Sequence, residues 1–152
     1  MSGVSLSEFA DKLDQIMPVF MREFVRRHNS DLLKDKITMP QFFILNHLYK
    51  QGETNMSCLA KFIGVTTAAA TGLVDRIVKS GYVERVYEPQ DRRVIKIKLS
   101  AKGESLIKKI VQDRRQTTMD IFGKISQQDR DDYLRVLGRV YEILTKNSPL
   151  KK

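Results

Sequence analysis

The segment 55–103 constrains the fold most, because two short helical patterns are followed there by a stretch of alternating apolar and basic residues. Asn55 is a short polar residue that can cap the first turn of a helix over about residues 56–63. Gly64 then suits the left-handed backbone position that often follows a helix. Thr66 can cap a second helix, which ends near residue 81. This order predicts a helix-turn-helix.

The second helix carries a narrow apolar stripe with small residues beside it. The stripe follows the helical spacing i, i+3, i+4, i+7 and consists of Ala70, Leu73, Val74 and Ile77. The residues mostly off the stripe are Thr67, Ala68, Thr71, Gly72 and Asp75. Small residues let a helix backbone approach base edges, and threonine can contact a thymine methyl or bond to bases and phosphates. An ordinary amphipathic helix is the alternative, and this helix taken alone favours it.

A β-hairpin with a basic tip is predicted after the second helix. Its first strand is rich in β-branched and aromatic residues, namely Tyr82, Val83, Val86 and Tyr87. In residues 95–99, isoleucine or leucine alternates with lysine, which predicts one face on a core and the other in solvent. The polar tip ends in Asp91-Arg92-Arg93. An exposed pair of arginines can bind phosphate or enter a DNA groove; a solvated turn is the alternative.

Together these residues resemble the MarR (multiple-antibiotic-resistance regulator) family. The resemblance is strongest over residues 55–103, and the matching groups are Leu59-Ala60, Gly64-Val65-Thr66, Leu73-Val74-Asp75-Arg76, Gly81-Tyr82-Val83, Asp91-Arg92-Arg93 and Leu99-Ser100-x-x-Gly103. The most specific part is Asp-Arg-Arg followed by a strand and Leu-Ser-x-x-Gly. The family implies winged-helix homodimers that regulate transcription, usually as repressors. Small aromatic or phenolic ligands, or oxidation, often release them from DNA.

The resemblance also implies which residues contact DNA. The start of the recognition helix supplies Thr66, Thr67, Ala68 and Thr71. Arg76 matches an arginine near the DNA backbone and the wing. Asp91 and Arg93 match a wing pair in which the acid orients the basic side chain and the arginine enters the minor groove, and Arg92 lies between them. Gly72 stands where many members carry a long polar residue, which moves the implied base contacts to its neighbours and the wing.

The charge balance agrees with a polyanionic partner. The 152-residue chain has 27 Lys and Arg against 18 Asp and Glu, a formal net charge of +9. Residues 75–102 hold eight basic and four acidic residues, a balance of +4. Basic proteins are attracted to nucleic acid. An anionic membrane surface is a minor alternative, because no basic amphipathic helix with an aromatic face stands out.

The predicted fold class is mainly α with a small β-hairpin wing, in a single domain over residues 1–152. The winged helix covers about 38–100, and helices over about 5–30 and 100–146 flank it. These flanking helices carry more apolar surface than a small winged helix needs, so we expect them to form a homodimer interface. Two-fold symmetry then matches a pseudo-palindromic operator. A monomeric all-α core is the alternative.

A ligand site is predicted where the winged helix meets the flanking helices. Four residues there offer apolar surface with polar handles: Phe42, Phe43, Asn46 and His47. A small aromatic effector that binds one arrangement better would change DNA affinity. The alternative is that all four are core residues, and the sequence alone favours it.

Other function classes find little support in the sequence. The N-terminus lacks the pattern of a signal peptide, and no run approaches the roughly 18 apolar residues of a membrane span, so we expect a cytoplasmic protein. We expect Cys58, the only cysteine, to be a small, partly buried packing residue rather than a redox group. His28 and His47 are the only histidines, and no catalytic, metal or cofactor motif accompanies them. We therefore predict a non-enzymatic, sequence-specific regulator that binds double-stranded DNA; the alternative is a winged-helix protein-interaction module.

Overall fold

The computed structural model describes residues 3–28 and 37–146. The elements in chain order are α1 (Leu6–His28), α2 (Met39–Gln51), β1 (Thr54–Asn55), α3 (Met56–Ile63), α4 (Thr67–Lys79), β2 (Val83–Tyr87), β3 (Ile95–Leu99), α5 (Ala101–Phe122) and α6 (Gln127–Lys146). This helical architecture with a small antiparallel sheet confirms the predicted fold class. The chain divides into two compact units, residues 1–36 and 37–152.

The first unit contributes one long helix, α1, with Pro18 inside it. Its large exposed apolar side chains are Leu6, Phe9, Leu13, Ile16, Met17, Val19, Phe20, Met21 and Val25. An apolar helix surface of this kind needs a partner, since isolated helices gain little stability in water.

The second unit has one apolar core, to which α2, α3, α4, α5 and the sheet all contribute. Its largest fully buried side chains are Ile44, Leu45, Leu59, Val74, Ile77, Val83, Ile97, Ile107 and Ile110. The capping box of α2 begins this unit: the Thr38 N–H donates to Gln41 Oε1 at 2.8 Å, and the Gln41 N–H donates to Thr38 Oγ1 at 3.5 Å. By contrast, no residue of α6 is buried.

The sheet has three strands in the order β1-β3-β2, where a two-stranded ribbon was expected. The added strand, β1, has only two residues, which is too short for any alternation to show in the sequence. Its partner is the middle strand, with Thr54 opposite Ile97. The expected apolar face of β3 is correct only at the base of the hairpin: Ile97 is fully buried, but Ile95 is 38% exposed, beyond the reach of the core.

Among the described residues, no single helix has the length and apolar character needed to cross a membrane. The pair α3 and α4 meets those criteria together, on length and composition only, with a bend of 104° between the helices.

Candidate nucleic-acid interface

Local capping bonds set the geometry of the helix-turn-helix. The Cys58 N–H donates to Asn55 Oδ1 at 2.8 Å and starts α3. Gly64 ends α3 with φ 77° and ψ 35°, the left-handed conformation that glycine adopts without steric cost. The Ala69 N–H donates to Thr66 Oγ1 at 3.2 Å and starts α4. The bend of 104° lies in the range of about 90–120° typical of this motif. The predicted caps and turn are confirmed.

The recognition helix α4 buries one face and leaves the other open. Ala70, Val74 and Ile77 are buried against the core, as their spacing predicts. Thr67 and Ala68 are exposed at the start of the helix, and the neighbouring backbone at Gly72 has open space around it. The exposed face of α4 near its start therefore carries small side chains, which would not hold the helix away from base edges.

The side-chain hydroxyls of two of the threonines predicted to contact DNA form local hydrogen bonds at the start of α4. The Thr66 hydroxyl is the helix cap, and the half-buried Thr71 hydroxyl donates to the Thr67 carbonyl at 2.8 Å. The Thr67 hydroxyl has no hydrogen-bond partner within the described part of the chain. Thr67 and the Ala68 methyl are consequently the groups at this end of α4 most available to a ligand.

The wing tip is a β-turn that presents two arginines. The Val94 N–H donates to the Asp91 carbonyl at 3.0 Å, which places Arg92 and Arg93 at the two central positions. Asp91 Oδ1 accepts the Arg93 backbone N–H at 3.0 Å. The resemblance implied that the acid orients the basic side chain. In the structure the carboxylate holds the backbone of Arg93 instead, because aspartate at the first turn position bonds the N–H two residues on.

Ion pairs engage several of the basic residues counted for the wing. Arg85 of β2 forms a salt bridge with Asp75 of α4, which ties the hairpin to the recognition helix. Lys98 Nζ lies 3.7 Å from Glu84 Oε2 across the hairpin. The two members of each pair neutralise one another, so neither Arg85 nor Lys98 adds to the positive charge that is open to a partner.

Lys96 has two acidic neighbours rather than one. Its Nζ lies 3.0 Å from Glu53 Oε1 and 2.8 Å from Glu88 Oε2. Lys96 donates hydrogen bonds to both carboxylates, and these raise its pKa, Glu88 having the larger effect and Glu53 the smaller. Nothing in the local sequence indicated this cluster, since Glu53 lies 43 residues away.

The Lys102 ammonium also makes contacts within the protein. Its Nζ donates to the Ser80 carbonyl at 3.0 Å and lies 4.8 Å from the centre of the Tyr82 ring. The Ser80 carbonyl is at the C-terminal end of α4, where a positive charge is favourable. Within the described ranges, four basic residues of this region have neither an ion pair nor contacts of the kind that Lys102 makes: Arg76, Lys79, Arg92 and Arg93. All four are exposed, on α4 or at the wing tip.

The start of α5 is tightly joined to the end of the recognition helix. The Ser100 hydroxyl donates to the Gly81 carbonyl at 2.5 Å and accepts the Gly103 N–H at 3.0 Å. The Ser100 N–H donates to the Tyr82 carbonyl at 3.1 Å. A Cβ atom on Gly103 would lie 1.8 Å from that same carbonyl oxygen, so only glycine fits. This contact gives a physical reason for the Leu-Ser-x-x-Gly pattern.

The four candidate ligand residues of α2 have different surroundings. Phe42 is buried, and the Arg114 guanidinium of α5 lies over its ring at 4.7 Å. Phe43 is 46% exposed, with its ring 5.8 Å from that of Phe42. The His47 ring lies 4.1 Å from the Phe62 ring, on the side of α3. The structure thus joins Phe42 and Phe43 but turns His47 toward another helix.

Two polar groups near Phe42 lack partners among the described residues, one for a hydrogen bond and the other for an ion pair. Asn46 Oδ1 is buried and accepts no hydrogen bond from any described residue. Burial lowers the pKa of the Arg114 guanidinium, and no acid among the described residues pairs with it. Arg114 was not singled out from the sequence, because only the packing of α5 on α2 brings it to Phe42.

Cys58 is exposed, so the expected packing role is wrong. It lies in the first turn of α3, whereas the buried positions of that helix begin at Leu59. Across residues 3–28 and 37–146, no group of three His, Cys, Asp or Glu side chains is placed to hold a metal ion.

Comparison with known proteins agrees with this geometry. The MarR family model matches residues 37–95. The helix-turn-helix-type transcriptional regulator YsmB of Bacillus subtilis is 32% identical over 112 residues, which cover 68% of this chain and 77% of YsmB. The transcriptional repressor YetL, also of Bacillus subtilis, is 28% identical over 93% of this chain and 80% of its own.

A solved structure has the same fold. Streptococcus pneumoniae FabT, crystallised in complex with DNA, superposes with a TM-score of 0.76 at 23% identity, over 95% of this chain and all of FabT. The family match and the identity to YsmB, together with the winged helix-turn-helix described above, establish that the chain belongs to the MarR family of transcriptional regulators.

Proposed function

We propose that the protein represses transcription by binding a pseudo-palindromic operator in double-stranded DNA as a homodimer, in the cytoplasm. The observation that carries the proposal is a group of four exposed basic residues on α4 and the wing tip that have no acidic partner among the described residues, namely Arg76, Lys79, Arg92 and Arg93. Cations left open in this way are available to neutralise phosphates and release counterions. A protein-interaction wing offers no reason for such uncompensated charge.

Each part of the interface has a distinct role in the proposal. The start of α4, with Thr67 and Ala68, enters the major groove, where a helix fits and base edges are distinguishable. The turn at the wing tip carries Arg92 and Arg93 into an adjacent minor groove, whose negative potential attracts arginine. Arg76 and Lys79 contact the phosphates beside α4.

The homodimer is supported by apolar surface that the single chain leaves open. α6 buries none of its residues, although its exposed side chains include Leu134, Val136, Leu137, Val140, Tyr141, Ile143 and Leu144. A cavity of about 520 Å³ at the start of α6 is lined by Met119, Phe122, Tyr133 and Leu134, among others. Apolar surface of this extent on a regulator supports a second copy as its partner. Two-fold symmetry would place the two recognition helices about 34–36 Å apart.

The protein is proposed to act on transcription as a repressor. YetL, which is 28% identical to this chain, is named a transcriptional repressor. A dimer that covers an operator blocks access to the DNA beneath it, so tight binding without any activating contact is sufficient for repression.

Release by a small aromatic acid is proposed at the Phe42, Phe43, Asn46 and His47 region. Arg114, over the Phe42 ring, would pair with the carboxylate, and the unused Asn46 Oδ1 would accept a hydroxyl proton. Salicylate has both groups. We expect millimolar salicylate to weaken a preformed protein–DNA complex, and Arg114→Met to abolish that response while leaving DNA binding intact. If salicylate leaves the affinity of the protein for DNA unchanged, small aromatic acids are not its effectors. The proposed role as a DNA-binding regulator does not depend on that result.

The decisive experiment is a selection of bound duplexes from a random pool by the purified protein. We expect a palindromic consensus whose half-sites are about one helical turn apart. The matched control is the variant with both Arg92→Ala and Arg93→Ala, with its fold checked by circular dichroism; it should enrich the consensus poorly. If the parent protein enriches no sequence, the proposed function is wrong.

A further inference from the structure

We propose that Lys96 is a positioning residue that anchors the wing to the connection between α2 and β1, and that it does not bind phosphate. The inference rests on the proposed DNA-binding function, which it deepens by separating the basic residues that hold the wing in place from those that contact DNA.

The position of Lys96 in the sheet makes such an anchor feasible. Lys96 is the second residue of β3, the middle strand, with Asn55 opposite on one side and Val86 opposite on the other. Its ammonium reaches Glu53, just before β1, and Glu88, just after β2. One side chain therefore links the two edge strands, and through Glu88 it reaches the base of the turn that presents the arginines.

The charge of this cluster argues against a phosphate contact. Two carboxylates around one ammonium leave a net charge of −1, which repels phosphate. Lys96 is protonated at neutral pH like any lysine, and the two carboxylates raise its pKa further, so both pairs persist there. Arg92 and Arg93, by contrast, have no acidic neighbour within salt-bridge distance in the described part of the chain.

The two roles predict opposite effects for one substitution. Glu53→Gln removes a negative charge close to the wing. If electrostatic attraction alone governs binding, this variant binds DNA more tightly than the parent. If Glu53 and Lys96 anchor the wing, the variant binds more weakly, because the wing arginines are held less firmly in the bound position.

The test is a titration of a fluorescein-labelled duplex carrying the selected consensus, at several salt concentrations. We expect Glu53→Gln and Lys96→Met each to weaken binding about two- to fivefold, the range for partly exposed ion pairs. The slope of log K against log salt should stay as in the parent, whereas each lost phosphate contact lowers its magnitude by about 0.9. The double variant should bind no more weakly than Lys96→Met alone, and Lys96→Arg should restore most of the affinity.

The matched control is Lys98→Met, which removes an equal charge from the next lysine of β3 without touching the anchor. Hydrogen exchange in the DNA-free protein supplies a second readout. The Glu88 and Val94 amides, bonded at 3.0 Å to the Val94 and Asp91 carbonyls, should exchange faster in Lys96→Met than in Lys98→Met.

Tighter binding by Glu53→Gln, or a slope reduced by about 0.9 in Lys96→Met, would overturn the inference. So would equal exchange of the wing amides in the two methionine variants. If the parent binds no DNA, the proposed function fails by itself, and the exchange comparison still decides whether Lys96 anchors the wing.

Discussion

Gly103→Ala is expected to destabilise the protein, although alanine is the better helix former. The added Cβ would lie 1.8 Å from the Tyr82 carbonyl oxygen, 2.7 Å from its carbonyl carbon and 3.1 Å from its Cα. These are backbone atoms of a residue that is only 7% exposed, so no flexible side chain can move aside. The start of α5 must instead shift away from the end of the recognition helix.

The size of the effect follows from what that shift disrupts. Forced overpacking costs about 1–3 kcal/mol. The hydrogen bonds from Ser100 to the Tyr82 and Gly81 carbonyls would lengthen, at a cost of about 0.5–1.5 kcal/mol each. Replacing glycine in a helix returns up to about 1 kcal/mol. The net loss is therefore about 1–5 kcal/mol, which lowers the Tm by roughly 2–20 °C for a chain of this length.

Thermal unfolding followed by circular dichroism, at one protein concentration, measures this loss. Gly72→Ala is the matched control, because it lies in α4 and its added Cβ meets nothing within 4 Å. That variant should unfold at the parental temperature or slightly above it. Equal Tm values for the two alanine variants would refute the argument from close approach.

Four further expectations concern DNA binding and assembly. The parent's log K should fall steeply with log salt, with a slope of about 3–4 per protomer if all four unpaired cations neutralise phosphate charge, at the backbone or from within the groove. A flat response would contradict DNA binding. Arg93→Ala should reduce that slope by about 0.9 and change the free energy of unfolding by no more than about 0.5 kcal/mol. If this variant binds DNA as tightly as the parent, the proposed contact between the wing and DNA is wrong. Asp91→Asn should retain the turn and bind DNA at least as well as the parent, whereas Asp91→Ala should lose a hydrogen bond worth about 0.5–1.5 kcal/mol; the same affinity for both variants would show that the turn bond is irrelevant. Leu137→Glu on the exposed face of α6 should yield a monomer in analytical ultracentrifugation, and an unchanged dimer would place the interface elsewhere.

The features predicted correctly from the sequence are those held by contacts between near neighbours. Asn55 and Thr66 cap helices through bonds to residues three positions away, and Gly64 ends a helix through its own backbone conformation. Such interactions are encoded in a few consecutive residues, so residue type and spacing were enough to predict them. The family resemblance depended on the same short segments.

The errors and omissions involve contacts across the fold. The strand β1 exists because Thr54 and Asn55 meet β3, and two residues alone carry no strand pattern. Cys58 was predicted to be a partly buried packing residue because cysteine is often buried, but its position on α3 leaves it exposed. Arg114 could not be predicted as a candidate ligand residue, because only the packing of α5 against α2 puts it over Phe42.

The sequence by itself determined the helix-turn-helix, the hairpin and the excess of positive charge, because periodicity, capping and composition are local properties. Only the tertiary structure decided which of those charges are open to DNA. Arg85 is paired with an acid 10 residues away, and Lys96 with one 43 residues away, whereas Arg92 and Arg93 are not paired within the described residues. A salt bridge depends on distance in space, and separation along the chain does not reveal that distance until the chain has folded.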